Sequence, residues 1–169
     1  MLCRRRAGAY LPQQGGSAAS DGGDAGAWRQ LFPGGALDGW QLQGGSWSAT
    51  AGIVRGEATA TAPARIQSAD GFGDLELRCR LRITRANRCE VQLGGYNWFF
   101  AIPAGSRDRD GWVSLAVTQR GGSATCLADG SVIPLEIAEQ PVARDGPLAF
   151  YAPLGAVIEI AEAEVRTPR

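Results

Sequence analysis

The chain has 169 residues, of which 44% are hydrophobic and 20% charged, a balance that fits one globular core. Its 17 basic residues, all arginine, balance 17 acidic ones, so charge gives no reason to expect nucleic acid or an anionic membrane as partner. There is no histidine, which removes the usual general base, the serine–histidine nucleophile pair and the commonest metal ligand.

Residues 1–27 are rich in Gly, Ser, Ala, Asp and Arg and almost free of aliphatics, a composition that predicts a disordered tail or linker. Such a segment would tether the chain to other modules. Its start, "MLCRRRAGAYLPQQGG", is basic but lacks a following apolar run, so it does not read as a signal peptide. The compartment stays open, export included, because the true start could lie upstream. No stretch approaches the length of a membrane span. The folded domain is expected over 28–169.

From Trp28 onward the pattern has period two, broken by glycine-rich turns. Trp40 and Trp47 fall in a segment with few aliphatics and are expected to anchor the sandwich against the C-terminal strand. "GDLELRCRLRI" alternates cleanly: Leu75, Leu77, Cys79, Leu81 and Ile83 face one way, Glu76, Arg78, Arg80 and Arg82 the other. After a turn at "TRAN", "RCEVQLGG" places Cys89, Val91 and Leu93 inward and Glu90 and Gln92 outward. "YNWFFAI" puts Tyr96, Trp98 and Phe100 on one face. The loop "SRDRDG" could offer Asp108 and Asp110 to calcium, but the interleaved arginines favour a solvated turn, and no metal site is assigned.

"GWVSLAVTQ" sends Val113, Leu115 and Val117 inward and Trp112, Ser114 and Ala116 outward. Asp129-Gly130 is a strong hairpin dipeptide. "LEIAEQPVARD" could hold one helical turn before Pro141. In the last strand the apolar set moves from even to odd positions after Ile160, which a β-bulge would reconcile; a strand start covered on both sides is the alternative. No CxxC pair occurs among the four cysteines, so zinc is not indicated. Cys79 and Cys89 read as small buried thiols, with a disulfide as the alternative. Many short strands with glycine turns predict an all-β, two-sheet antiparallel β-sandwich.

Five segments together carry a resemblance: "LFPGGALDGW", "GSWSATAGIVRGE", "GFGDLELRCRLRI", "GWVSLAVTQRGGSATCLADG" and "GPLAFYAPLGAVIEIAEAEVR". In this order, from Trp28 to Arg166, they resemble the 3-keto-disaccharide hydrolase-type domains of the concanavalin A-like (laminarinase-like) jelly rolls. The chain departs from that pattern at "ANRCE" and at "IAE". The resemblance implies a jelly roll and a carbohydrate ligand, held on the concave face of one sheet or on loops at its rim. It also implies cleavage of glycosides oxidised at C3, where a base removes the acidified C2 hydrogen. No base, cofactor or metal ligand carries over residue by residue.

The alternation itself suggests where such chemistry would sit. The outward residues of three strands taken as neighbours are Glu76, Arg78 and Arg80, then Glu90 and Gln92, then Trp112 and Ser114, and Trp98 could lie beside them. Trp112 and Trp98 could stack on a pyranose; Arg78, Arg80 and Gln92 could hydrogen-bond its hydroxyls. Glu76 and Glu90, if adjacent, could supply catalytic carboxylates. The same charges could instead form ordinary cross-strand ion pairs, and Trp98 could be core. A non-catalytic carbohydrate-binding or structural module is therefore the alternative to an enzyme.

Overall fold

A computed structural model describes residues 26–94, 98–104, 109–137 and 145–168. The expected tail over 1–27 lies outside these apart from Gly26 and Ala27, as do Tyr96, Asp108 and most of the helical turn expected before Pro141. The strands are β1 (Arg29–Gln30), β2 (Trp40–Gln43), β3 (Ser46–Thr50), β4 (Ile53–Glu57), β5 (Ala64–Phe72), β6 (Leu75–Thr84) and β7 (Arg88–Leu93). They continue with β8 (Trp98–Pro103), β9 (Trp112–Arg120), β10 (Ser123–Ala128), β11 (Ser131–Ile133), β12 (Leu135–Ile137), β13 (Gly146–Ala152) and β14 (Val157–Arg166). One 3-10 turn, Pro33–Gly35, follows β1, and "LEI" is the strand β12 rather than a helix.

All pairings are antiparallel and form two sheets. The large sheet runs β11-β10-β9-β6-β14-β4-β3, with β1 also paired to β14; the small sheet runs β12-β8-β7-β13-β5-β2. Alternation decides the core. Leu75, Leu77, Cys79 and Leu81 of β6 and Val113, Leu115 and Val117 of β9 meet Cys89, Val91 and Leu93 of β7 and Leu148 and Phe150 of β13. Cys79, Cys89 and Cys126 are free and buried, and burial pushes their thiol pKa values up, that of Cys126 to about 12.

The phase change in the last strand is a bulge. Register between β14 and β6 shifts between Ala161 and Glu164, and Glu162 sits in the left-handed region at φ 51°. Ile158 and Ile160 before it, and Ala163 and Val165 after it, are thereby all buried. The break also separates the two partners on one side of β14: β4 pairs with Val157–Ala161 and β1 with Glu164 and Val165. The small sheet has its own irregularity between Pro147 and Ala149, where the buried Ser68 hydroxyl accepts from Leu148 N (3.0 Å) and donates to Asp70 O (2.6 Å). Asp129 and Gly130, both at positive φ, turn β10 into β11 as the dipeptide predicts.

Trp40 and Trp47 close one side of the sandwich from its two edge strands, β2 of the small sheet and β3 of the large one. The Trp40 indole donates to Leu31 O at 3.1 Å and packs on Phe32 and on Phe150, with ring centroids 4.6 and 6.4 Å apart. Its partner is therefore β13 rather than the C-terminal strand. Trp47 lies over Gly56 of β4, where a Cβ would come within 2.4 Å of the indole ring.

Candidate functional site

The two sheets separate residues that the sequence groups together. β6 and β7 are consecutive in the chain but belong to different sheets, so their outward faces lie on opposite sides of the molecule. Glu76, Arg78, Arg80, Trp112 and Ser114 project from the large sheet, and Glu90 and Gln92 from the small one. Packed sheets stand about 10 Å apart before side chains are added. Glu76 and Glu90 consequently do not form a carboxylate pair across one substrate.

The outer face of the large sheet is ion-paired. Glu76 accepts from Arg166 Nε (2.6 Å) and Arg120 Nη2 (3.1 Å); Glu164 accepts from Arg78 Nε (2.6 Å). Arg80 lies 3.6 Å from Glu162, and Glu159 joins Arg82 and Arg55. Hydrogen bonds from Arg166 hold the Glu76 carboxyl below its ordinary pKa, and those from Arg82 do the same for Glu159. Trp112 is only 9% exposed, because the guanidinium groups of Arg82 and Arg80 lie over its ring, 4.9 and 5.4 Å from the centroid. Trp28 is covered similarly by Arg78 and Arg166, at 4.2 and 4.6 Å. Neither ring offers an open stacking platform. A cavity of about 820 Å³ opens where β14 breaks, between Phe32 and Gly52 on one side and Arg78, Arg80 and Glu162 on the other, and its arginines are paired with the same glutamates.

Trp98 faces the core. Register pairs it with Leu93, and Phe100, on the same side of β8, with Val91; Trp98 is 7% exposed. The face it shares with Phe100 is therefore the inner one, and the expectation that it stands beside an outer sugar site is corrected.

The small sheet presents a different outer surface. Cross-strand register places Gln41, Gln67, Ala149, Gln92, Phe99 and Glu136 in one row. A second row holds Gln43, Arg65, Tyr151, Glu90 and Ala101. The inner positions between them, Ile66, Val91, Leu148 and Phe150 among others, are fully buried, so these rows are fixed by the core beneath.

The polar members form a relay. Gln67 Nε2 donates to Gln41 Oε1 (2.7 Å), Arg65 Nη1 to Gln43 Oε1 (3.1 Å) and to Gln67 Oε1, Arg65 Nε to Gln92 Oε1 (2.9 Å), and Gln92 Nε2 to Glu90 Oε2 (2.9 Å). Partial burial pushes the Arg65 pKa down, since the cation loses hydration. Glu90 is the sole acidic side chain facing outward from β5, β7, β8 and β13 among the described residues. Among those residues no group of three or more His, Cys, Asp or Glu side chains could hold a metal ion.

Of the residues singled out from sequence, Glu90 and Gln92 belong to this surface. Arg65, Gln67 and Tyr151 were missed, although "ARIQSA" alternates as plainly as the strands that were read.

The sequence matches no family model and no curated protein. Its fold does have solved relatives. A candidate glycosyl hydrolase from Parabacteroides distasonis superposes with a TM-score of 0.65 at 12% identity, over 83% of this chain and 99% of that one. The carbohydrate-binding module CBM66 from Bacillus subtilis gives 0.56 at 12% identity, over 76% and 96%. The exoplasmic/lumenal domain of VIP36, in its Ca2+/Man3GlcNAc-bound form, gives 0.57 at 12% identity, over 80% and 86%. The fold is thus the two-sheet antiparallel jelly roll of the concanavalin A-like type.

Proposed function

We propose that this domain binds carbohydrate on the outer face of its small sheet and acts as a recognition module rather than as a hydrolase. One observation carries this reading: a continuous surface formed by Gln41, Gln43, Arg65, Gln67, Tyr151, Glu90 and Gln92 spans four strands. Amides both donate to and accept from sugar hydroxyls, a carboxylate accepts from them, and an aromatic ring takes the C–H face of a pyranose. The fold relatives support it, since they include a carbohydrate-binding module and a domain solved in a Ca2+/Man3GlcNAc-bound form.

Catalysis by paired carboxylates finds no support in the geometry. Such pairs stand roughly 5–9.5 Å apart; among the described residues the outer face of the small sheet offers Glu90 and, two strands or roughly 10 Å of backbone away at its edge, Glu136. The narrower reading from the sequence, elimination from 3-keto glycosides, would rest on Glu90 as base. A glycan array, read beside product analysis with 3-keto and ordinary disaccharides, tests the proposal. Saturable binding that Tyr151→Ala weakens about tenfold, without turnover, is expected. Turnover abolished by Glu90→Gln would establish the enzyme instead.

A further inference from the structure

The arginines of the large sheet's outer face each have a carboxylate within 4.0 Å: Arg55, Arg78, Arg80, Arg82 and Arg166. Arg65, half-buried in the middle of the small sheet's outer face, is different. Its hydrogen bonds go only to amide oxygens, those of Gln43, Gln67 and Gln92, and its charge has no carboxylate partner among the described residues. Those bonds use Nε and Nη1, and leave the two N–H groups of Nη2 without an acceptor among the described residues. A partly desolvated cation without a counterion is stabilised by a ligand that brings an anion.

The row order says where the anion would lie. Arg65, Tyr151 and Glu90 occupy successive strands in direct register. With strands about 4.8 Å apart, Arg65 and Glu90 flank Tyr151 with roughly 10 Å between their backbones, enough for one sugar ring with its substituents. The row reads cation, aromatic ring, anion. We infer that the preferred ligand is an acidic sugar, a uronate whose ring lies on Tyr151, whose carboxylate meets Arg65 and whose hydroxyls donate to Glu90. Glu90 repels the carboxylate from its own end and so fixes the orientation. Gln92, bonded to both Arg65 and Glu90, holds the two poles in place.

This inference rests on the carbohydrate-binding reading above, and its test separates the two. An array of uronate oligosaccharides and their carboxyl-reduced, neutral counterparts is probed with the full chain and with Arg65→Gln and Arg65→Lys. The wild-type chain is expected to prefer the uronate form by about tenfold or more, with a preference that shrinks as salt is added. Arg65→Gln should remove the preference, bringing the affinity for the uronate form down to that for its neutral counterpart, and a thermal melt of the variant shows separately that it is folded. Arg65→Lys should keep part of it, because the charge survives without the planar fork. Equal affinity for both forms overturns the acidic-sugar assignment and leaves carbohydrate binding standing. A sulfated, carboxylate-free oligosaccharide bound as tightly as the uronate also overturns it. Binding to no member of the array overturns both.

Discussion

Arg65 and Gln92 are joined by a 2.9 Å hydrogen bond from Nε to Oε1 across β13, which lies between their strands. The small residue Ala149, beside both Gln67 and Gln92 in its row, leaves the space in which the two side chains meet. One amide thereby orients a guanidinium and, through its own Nε2, a carboxylate. Gln92→Ala is expected to weaken glycan binding about tenfold or more, by releasing both poles at once, while its place on the outer face, away from the core, keeps the loss of stability to about 1 kcal/mol. Calorimetric titration beside a thermal melt checks the separation of the two effects.

Glycine at position 56 is required by Trp47. A Cβ there would lie 2.4–2.7 Å from three atoms of the indole six-membered ring. Gly56→Ala should cost about 1–3 kcal/mol through this overlap. Denaturant unfolding measures it, and in a Trp47→Ala background the added cost of the alanine should largely vanish.

Trp40 contributes through Phe32 and Phe150 and through its bond to Leu31 O. Trp40→Ala is expected to lower stability by about 3 kcal/mol, the low end for aromatic truncation, because the ring is only partly buried. Trp40→Phe should recover part of this, since it keeps an aromatic ring against Phe32 and Phe150 but loses the indole hydrogen bond and some ring contact.

The ion pairs of the large sheet predict acid sensitivity. Glu76 and Glu159 have folded-state pKa values held below the ordinary one, so the stability they contribute is present above the unfolded value of about 4.3 and is lost as pH falls through the folded values. Melting temperature should therefore be flat through neutral pH and drop below about pH 4.5. Glu159→Gln should lower the plateau and make that drop shallower, and calorimetry from about two pH units below 4.3 to neutral pH would record both.

Much of the fold was legible because its core is strictly alternating. Leu75 through Ile83, Val113 through Val117 and the phase change after Ile160 all have their predicted sense of burial, and the bulge itself could be placed from the parity switch. The site was only half legible for a physical reason. Period two tells which side chains share a face of one strand; it does not tell which sheet the strand joins. The turn after β6 reads as a hairpin, yet it carries the chain across the sandwich, and so Glu76 and Glu90 were assigned to one surface. Trp112 shows a second limit. Its outward parity was readable, but the two arginines that cover it come from another strand and depend on register.

A nuclear magnetic resonance titration of the labelled chain shows directly which outer face meets the ligand. With uronate oligosaccharides and their carboxyl-reduced, neutral counterparts as ligands, shifts should concentrate on Gln67, Gln92, Glu90 and Tyr151, while Arg78, Arg82, Ser114 and Glu164 stay unchanged. Shifts confined to the large sheet, or at the cavity beside Glu162, would contradict it.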